Sequence, residues 1–216
     1  QSDSMHLSFM QYDVLLYQEM THKDIKDQIR VFLPLYYEEV HLIVKNNHAI
    51  NKFEDLVNKR VGVGTANTGA SITSKVFQLK TGLKWQDIHV PFDKCLQSLL
   101  SDSIDAFLYV GAAPSNFMLN FPDNAKAFIK MIPIEHPGLQ ELYSTRVIDK
   151  SYYPWLKENV TTLATRSLLV GNVKNISGPI ANQIDLLYND LLENLKGIQK
   201  NKFSHSKWQQ VDFSDM

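Results

Sequence analysis

The segment Arg60-Val-Gly-Val-Gly-Thr-Ala-Asn-Thr-Gly-Ala-Ser71 places glycines at 62, 64 and 69 and hydroxyl side chains at 65, 68 and 71, between a short apolar run and a stretch with helical spacing. Glycine-rich turns that open a helix gather unbonded backbone N–H groups at the positive end of the helix dipole, which suits them to anions. Two nucleotide motifs are tested first. A dinucleotide turn needs G-x-G-x-x-G, and after Gly62 and Gly64 the next glycine comes only at 69, two residues late. A phosphate loop matches the spacing of Gly64-Thr-Ala-Asn-Thr-Gly69 but needs Lys where Ala70 stands, and no other residue of the loop supplies that charge. What remains is a cradle for one small anion such as a carboxylate, built from the backbone of Thr68, Gly69 and Ala70 with Asn67 and Ser71 as side-chain candidates. An ordinary strand-to-helix turn in which Thr68 merely caps the helix is the alternative.

A second group of small residues, Gly111, Ala112, Ala113 and Pro114, closes the apolar run Ile104–Val110. At the carboxyl end of a strand, where open α/β sheets bind their ligands, small residues let a ligand approach the backbone. Pro114 also suits a plain helix start. Tyr36 is a candidate for stacking on or hydrogen-bonding a ligand, or else a core ring. Glu38 and Glu39 are adjacent, so on a strand they point to opposite faces and cannot act jointly; one of them reads as a solvated or hinge residue. The histidines at 6, 22, 41, 48, 89, 136 and 205 show no metal-ligand spacing and read as structural. Cys95 sits among leucines on a predicted helix and reads as a buried thiol. No nucleophile, base and orienting group can be assigned together, so no catalytic residue, metal or cofactor is expected.

With 22 basic against 23 acidic residues the chain has no basic surplus, and nucleic acid is not an expected partner. A hydrophobic fraction of 44% over 216 residues supports a core for one large domain or two lobes. No apolar run approaches the roughly 18 to 20 residues that cross a bilayer, and the first residues lack a basic region followed by an apolar one, consistent with a removed signal peptide.

The elements that would carry these residues alternate. Apolar spacing predicts a helix over Phe9–Met20 and a loop through the charged residues that follow. Residues 29–45 are rich in β-branched and aromatic side chains, with Pro34 dividing them into two strands or one broken strand. A short helix leads into a strand at 60–64, then a helix ends near Gly82. Strands at 88–90, 104–111 and within 125–134 follow, with a helix over residues 92–103 turning Leu96, Leu99 and Leu100 inward. TLATRSLLVG reads as a strand. Ser177-Gly178-Pro179 starts a long helix with Ile180, Ile184, Leu187, Leu191, Leu195 and Ile198 as its apolar stripe. The last residues read as a packed strap or a frayed tail. Strand–helix alternation over roughly 55–135 argues for an α/β layer with a mainly parallel sheet.

Four segments in fixed order resemble the TAXI family of solute receptors for TRAP transporters, which are periplasmic two-lobe binding proteins. They are Leu35-Tyr36-Tyr37-Glu38 to His41, Asp55 to Arg60-Val61, Gly64 to Ala70, and Ile104-Asp-Ala-Phe107 to Pro114; Gln1-Ser2-Asp3 resembles the family's Q-S-D. The resemblance runs over essentially the whole chain. Thr68-Gly69-Ala70 departs from the family's Ser-Gly-Thr, and Tyr37 from its usual Pro.

The resemblance implies an α/β, two-lobe fold with each lobe a mainly parallel sheet flanked by helices: 1–42 in the first lobe, 43–134 in the second, and 135–216 returning to the first. The family has a further segment before Q-S-D, so the first lobe is expected to be incomplete here. It also implies closure of the lobes on a small carboxylate or amino acid, glutamate-like, held by Gln1, Ser2, Asp3, Tyr36, residues 67–71 and residues 111–114. The membrane subunits of a TRAP transporter are the implied partner, and the periplasm the implied compartment. A receptor relative acting as an interaction module, or an enzyme acting on a small carboxylate, are the other readings.

Overall fold

The computed structural model describes residues 6–22, 24–47 and 49–213. In chain order the elements are β1 (Leu7–Gln11), α1 (Tyr12–Thr21), α2 (Ile25–Gln28), β2 (Ile29–Lys45), β3 (Arg60–Gly62), α3 (Gly69–Thr81), β4 (Gln86–Ile88), α4 (Phe92–Leu100), β5 (Ala106–Gly111), α5 (Asn116–Leu119), α6 (Asp123–Lys126), β6 (Ile129–Ile132), β7 (Ser144–Ile148), β8 (Val160–Asn172) and α7 (Pro179–Lys200). The chain divides into two compact units: residues up to Tyr37 with those from Arg166 onward form one, and Glu38–Thr165 the other. Both boundaries fall inside the long strands β2 and β8, where uninterrupted strand composition provides no linker signal. The resemblance places its limits after 42 and 134 instead.

The central unit is an α/β layer. Its strands β4, β3 and β5 are parallel, with Val61 opposite Asp87 on one side and Ala106 on the other. Beyond β5 the sheet turns antiparallel: β2 pairs with β5 from Glu39↔Gly111 to Val44↔Ala106, and β6 and β7 add antiparallel rungs to β2 and β8. The sheet is therefore mixed rather than mainly parallel, because β2 arrives running against β5 instead of through a helical crossover. Ile43, Leu99, Ile104, Phe107 and Met118 are completely or almost completely buried in its core.

In the other unit β1 pairs antiparallel with the second half of β8, Leu7 opposite Gly171. Leu33, Leu35 and Val211 are buried together, with Tyr188, Leu191, Leu192 and Leu195 of α7 packed against them. The apolar stripe of α7 thus runs through Ile184, Tyr188, Leu191, Leu192 and Leu195, while Leu187 is 42% exposed. Residues 206–211 form a packed strap: a 3-10 turn over Ser206–Gln210 delivers Val211, and the Gln199 amide donates to the carbonyls of Trp208 and Val211.

Several local expectations change. Pro34 does not break β2; it precedes residues 39–45, which carry the rungs to β5 and β6. Phe9 and Met10 belong to β1, and α1 begins at Tyr12. Residues 25–28 form a helical turn where a loop is predicted. β4 lies at 86–88 instead of 88–90, and Leu100 at the end of α4 is 36% exposed. Pro114 follows a cis peptide bond, and the next helix begins at Asn116, not at the proline.

Candidate functional site

Parallel pairing of β3 with β5 is what brings the two small-residue segments together. Gly62 stands opposite Phe107, so both strands leave the sheet at the same edge, β3 into the turn 63–68 and β5 into 112–115. β4 ends at that edge too, and the Val63 N–H donates to the Ile88 carbonyl at 3.1 Å. This carboxyl edge is where an open α/β sheet presents ligand-binding loops.

The turn reverses through Gly64 and Asn67, both left-handed, at φ +75° and +63°. Thr68 has N-cap backbone geometry, but its side chain makes no cap bond. Its hydroxyl lies 2.8 Å from the Thr65 carbonyl and 3.3 Å from that of Val63, so it braces the turn from within. Ser71 is fully buried and its Oγ donates to the Thr68 carbonyl at 3.0 Å. Ala70 is buried, Asn67 is exposed, and Gly69 begins α3. The first carbonyl-bound amide of the helix is that of Ile72, which donates to Thr68; the earlier N–H groups of Gly69, Ala70 and Ser71 open the helix.

An aromatic ring joins this turn to the other segment. A Cβ on Gly64 would come within 2.7 Å of the Phe92 ring and 3.1 Å of Thr68 Oγ1. Phe92 meets Tyr109 edge-on at 5.1 Å between centroids, and a Cβ on Gly111 would lie 2.9 Å from the Tyr109 ring. Glycine at 64 and 111 thus lets an aromatic ring approach the backbone closely, and at 64 it also suits the left-handed conformation.

The 111–115 segment is held by buried polar groups. The Ala113 N–H donates to Glu39 Oε2 at 2.8 Å, and the Ser115 N–H to the Tyr153 hydroxyl at 2.8 Å. That hydroxyl is 2.9 Å from His41 Nε2, while His41 Nδ1 lies 2.9 Å from the Glu39 carbonyl. A carbonyl only accepts, so Nδ1 carries the ring hydrogen and Nε2 accepts from Tyr153. Burial pushes the Tyr153 hydroxyl well above its ordinary value, and it stays a donor at neutral pH. The Ser115 hydroxyl adds a 3.2 Å contact to the Tyr109 hydroxyl.

Of the residues singled out from sequence, 67–71 and 111–114 meet at this edge. Tyr36 lies in the other unit, packed against the Leu33, Leu35 and Val211 cluster. Gln1, Ser2 and Asp3 fall outside the described residues. Sequence reasoning missed Glu39, Tyr109, Ser115 and Tyr153, and took His41 as structural only in a general sense. Of the adjacent pair, Glu38 is half-buried, while Glu39 is the buried one, 5% exposed and bound to Ala113. The only sequence signal for it was its position in the Leu35–His41 segment. Among the described residues no helix is long and apolar enough to cross a membrane, and no group of three His, Cys, Asp or Glu residues is placed to hold a metal ion.

The model for the NMT1-like family matches residues 5–206. Among solved structures, a putative periplasmic sulfonate-binding protein, SsuA, of a sulfonate ABC transporter from Methylobacillus flagellatus aligns with 98% of this chain and 55% of its own, at 11% identity and a TM-score of 0.52. A TctC solute binding protein from Polaromonas aligns with 94% of this chain and 65% of its own, at 14% identity and a TM-score of 0.52. XAC2383 from Xanthomonas citri, solved bound to ATP, aligns with 88% of this chain and 64% of its own, at 10% identity and a TM-score of 0.56. The chain thus spans between 55% and 65% of the length of these proteins and shares their α/β binding-protein fold.

Proposed function

The chain belongs to the NMT1-like family, and from that premise we propose that it is an extracytoplasmic solute receptor for a small carboxylate or amino acid, glutamate-like, with no catalytic role. The observation that carries the reading is the meeting of the 64–71 turn and the 111–114 segment at the carboxyl ends of neighbouring parallel strands. There the N–H groups of Gly69, Ala70 and Ser71 hold the carboxylate at the start of the 13-residue helix α3. Asn67 stands beside it on the exposed turn, and the small residues 111–114 admit the rest of the solute. The fold shared with SsuA and TctC supports a binding role. Delivery to TRAP-type membrane subunits, and residence in the periplasm, rest on the order of the four sequence segments.

A thermal-shift panel of L-glutamate, L-glutamine, succinate and 2-oxoglutarate tests the reading. A solute at a hundredfold excess over its Kd is expected to raise the melting temperature by about 5 °C or more. Well-folded protein that responds to none of these acids overturns it and leaves the interaction-module reading. Asn67→Asp, which puts a negative charge beside the cradle on an exposed residue that tolerates its backbone conformation, is expected to reduce the shift without lowering the melting temperature of the free protein.

A further inference from the structure

We infer that Glu39 and Tyr153 are positioning residues for the solute site: they hold the amides on either side of Pro114 and so set the path of the 111–115 segment before any solute arrives. The inference rests on the receptor reading and assigns the work of positioning to groups that themselves face away from the solute.

β5 ends at Gly111, whose register partner on β2 is Glu39. Among the described residues the ladder to β2 ends at that rung, and the amides beyond it need other acceptors or water. The Glu39 side chain reaches two residues beyond its own rung to take the Ala113 N–H at 2.8 Å. The Tyr153 hydroxyl takes the Ser115 N–H at 2.8 Å. Neither acceptor is loose. Glu39 is 5% and Tyr153 0% exposed, the Tyr153 ring stacks on Trp155 at 5.6 Å, and its hydroxyl is oriented by donating to His41 Nε2.

Two buried acceptors on separate elements thus clamp a stretch of three residues. A carboxylate accepting an amide in a water-poor site is among the stronger hydrogen bonds available. Affinity at a preorganised site exceeds that at one that must be ordered on binding.

Three variants separate positioning from plain stability. Glu39→Ala removes the acceptor, Glu39→Gln keeps a carbonyl oxygen in its place, and Tyr153→Phe keeps the stacked ring without the hydroxyl. Each is titrated calorimetrically with L-glutamate and succinate, and amide exchange is followed at Ala113 and Ser115. Glu39→Ala and Tyr153→Phe are expected to weaken binding at least tenfold, with Glu39→Gln within about threefold of the wild type. Exchange is expected to quicken at least tenfold at Ala113 in Glu39→Ala and at Ser115 in Tyr153→Phe, while distant amides keep their rates.

Unchanged affinity in folded Glu39→Ala and Tyr153→Phe, with wild type binding either acid, overturns the inference and leaves the receptor reading standing. Unchanged exchange at both amides overturns it as well. Wild type that binds neither acid overturns this inference, and wild type that also fails to respond to L-glutamine and 2-oxoglutarate removes the receptor reading with it.

Discussion

Arg60 and Asp105 form a two-pronged pair: Arg60 Nη2 donates to Asp105 Oδ1 at 2.7 Å and Nε to Oδ2 at 3.1 Å. The same carboxylate accepts the Arg60 backbone N–H at 2.8 Å, and the Asp105 N–H returns a bond to the Arg60 carbonyl at 2.8 Å. Two sequence segments 45 residues apart are thereby joined at the start of β3 and the approach to β5. The pair adjoins the Val61↔Ala106 rung of the parallel register that brings the two loops to one edge. The hydrogen bond that Arg60 donates to Asp105 raises its guanidinium above the ordinary range against the opposing effect of burial, and the charge of Asp105 adds to the rise.

Removing Asp105 therefore acts on the sheet as well as on a charge pair. Asp105→Ala leaves the Arg60 amide without its acceptor and is expected to lower the melting temperature by several degrees, Asp105→Asn by less. Both variants should show a weakened dependence of melting temperature on salt relative to wild type, because each removes the charge whose attraction to Arg60 salt screens. Equal stability of Asp105→Ala and wild type would remove the pair from the register argument.

Gly64 and Gly82 share φ +75°, yet substitution should not cost the same. A Cβ on Gly82 meets nothing within 4 Å, so Gly82→Ala carries the left-handed backbone penalty alone, about 1 kcal/mol. On Gly64 the Cβ would overlap the Phe92 ring at 2.7 Å, adding an overpacking cost of roughly 1–3 kcal/mol. Urea denaturation of the two variants is expected to rank Gly64→Ala clearly below Gly82→Ala, and only the former should lose the thermal response to solute.

Burial pushes the Cys95 thiol up to about 11 from an ordinary 9.0. The folded state favours the neutral thiol, so its contribution to stability is complete below about pH 9 and is lost as pH rises through about 11. At pH 8 roughly one thiol in a thousand is ionised. Iodoacetamide should label the native protein very slowly at pH 8 and the urea-unfolded protein quickly; rapid native labelling at that pH would contradict this placement.

The strap after α7 is structural. Val211 is 2% exposed against Leu33 and Leu35, and Val211→Ala is expected to cost roughly 1–3 kcal/mol in chemical denaturation. Gln199→Leu, which leaves the carbonyls of Trp208 and Val211 without their shared donor, should speed amide exchange around residues 206–211 ahead of global unfolding.

Local chemistry was legible without coordinates. Gly64 and Gly69 within a strand-to-helix turn, Ala70 in place of a phosphate-loop Lys, the Gly82 stop of α3 and the Pro179 start of α7 are set by neighbours in the chain, and each is found where spacing places it. The α/β alternation of residues 60–111 was legible for the same reason. Tertiary contacts settled the rest. β2 runs on through Pro34, its rungs to β5 and β6 begin later, at Glu39, and periodicity does not report which residues of a strand are paired. The sheet became mixed through the direction in which β2 meets β5, a long-range choice invisible to residue spacing.

The placement of Glu39 shows the limit most directly. An acidic residue on a strand ordinarily faces water, and here the amide of Ala113, 74 residues away, gives the buried side chain a donor. Tyr153 and Ser115 are 38 residues apart and joined by one hydrogen bond of the same kind. Chain order determined which groups could bind an anion; the pairing of distant strands determined which of them stand together.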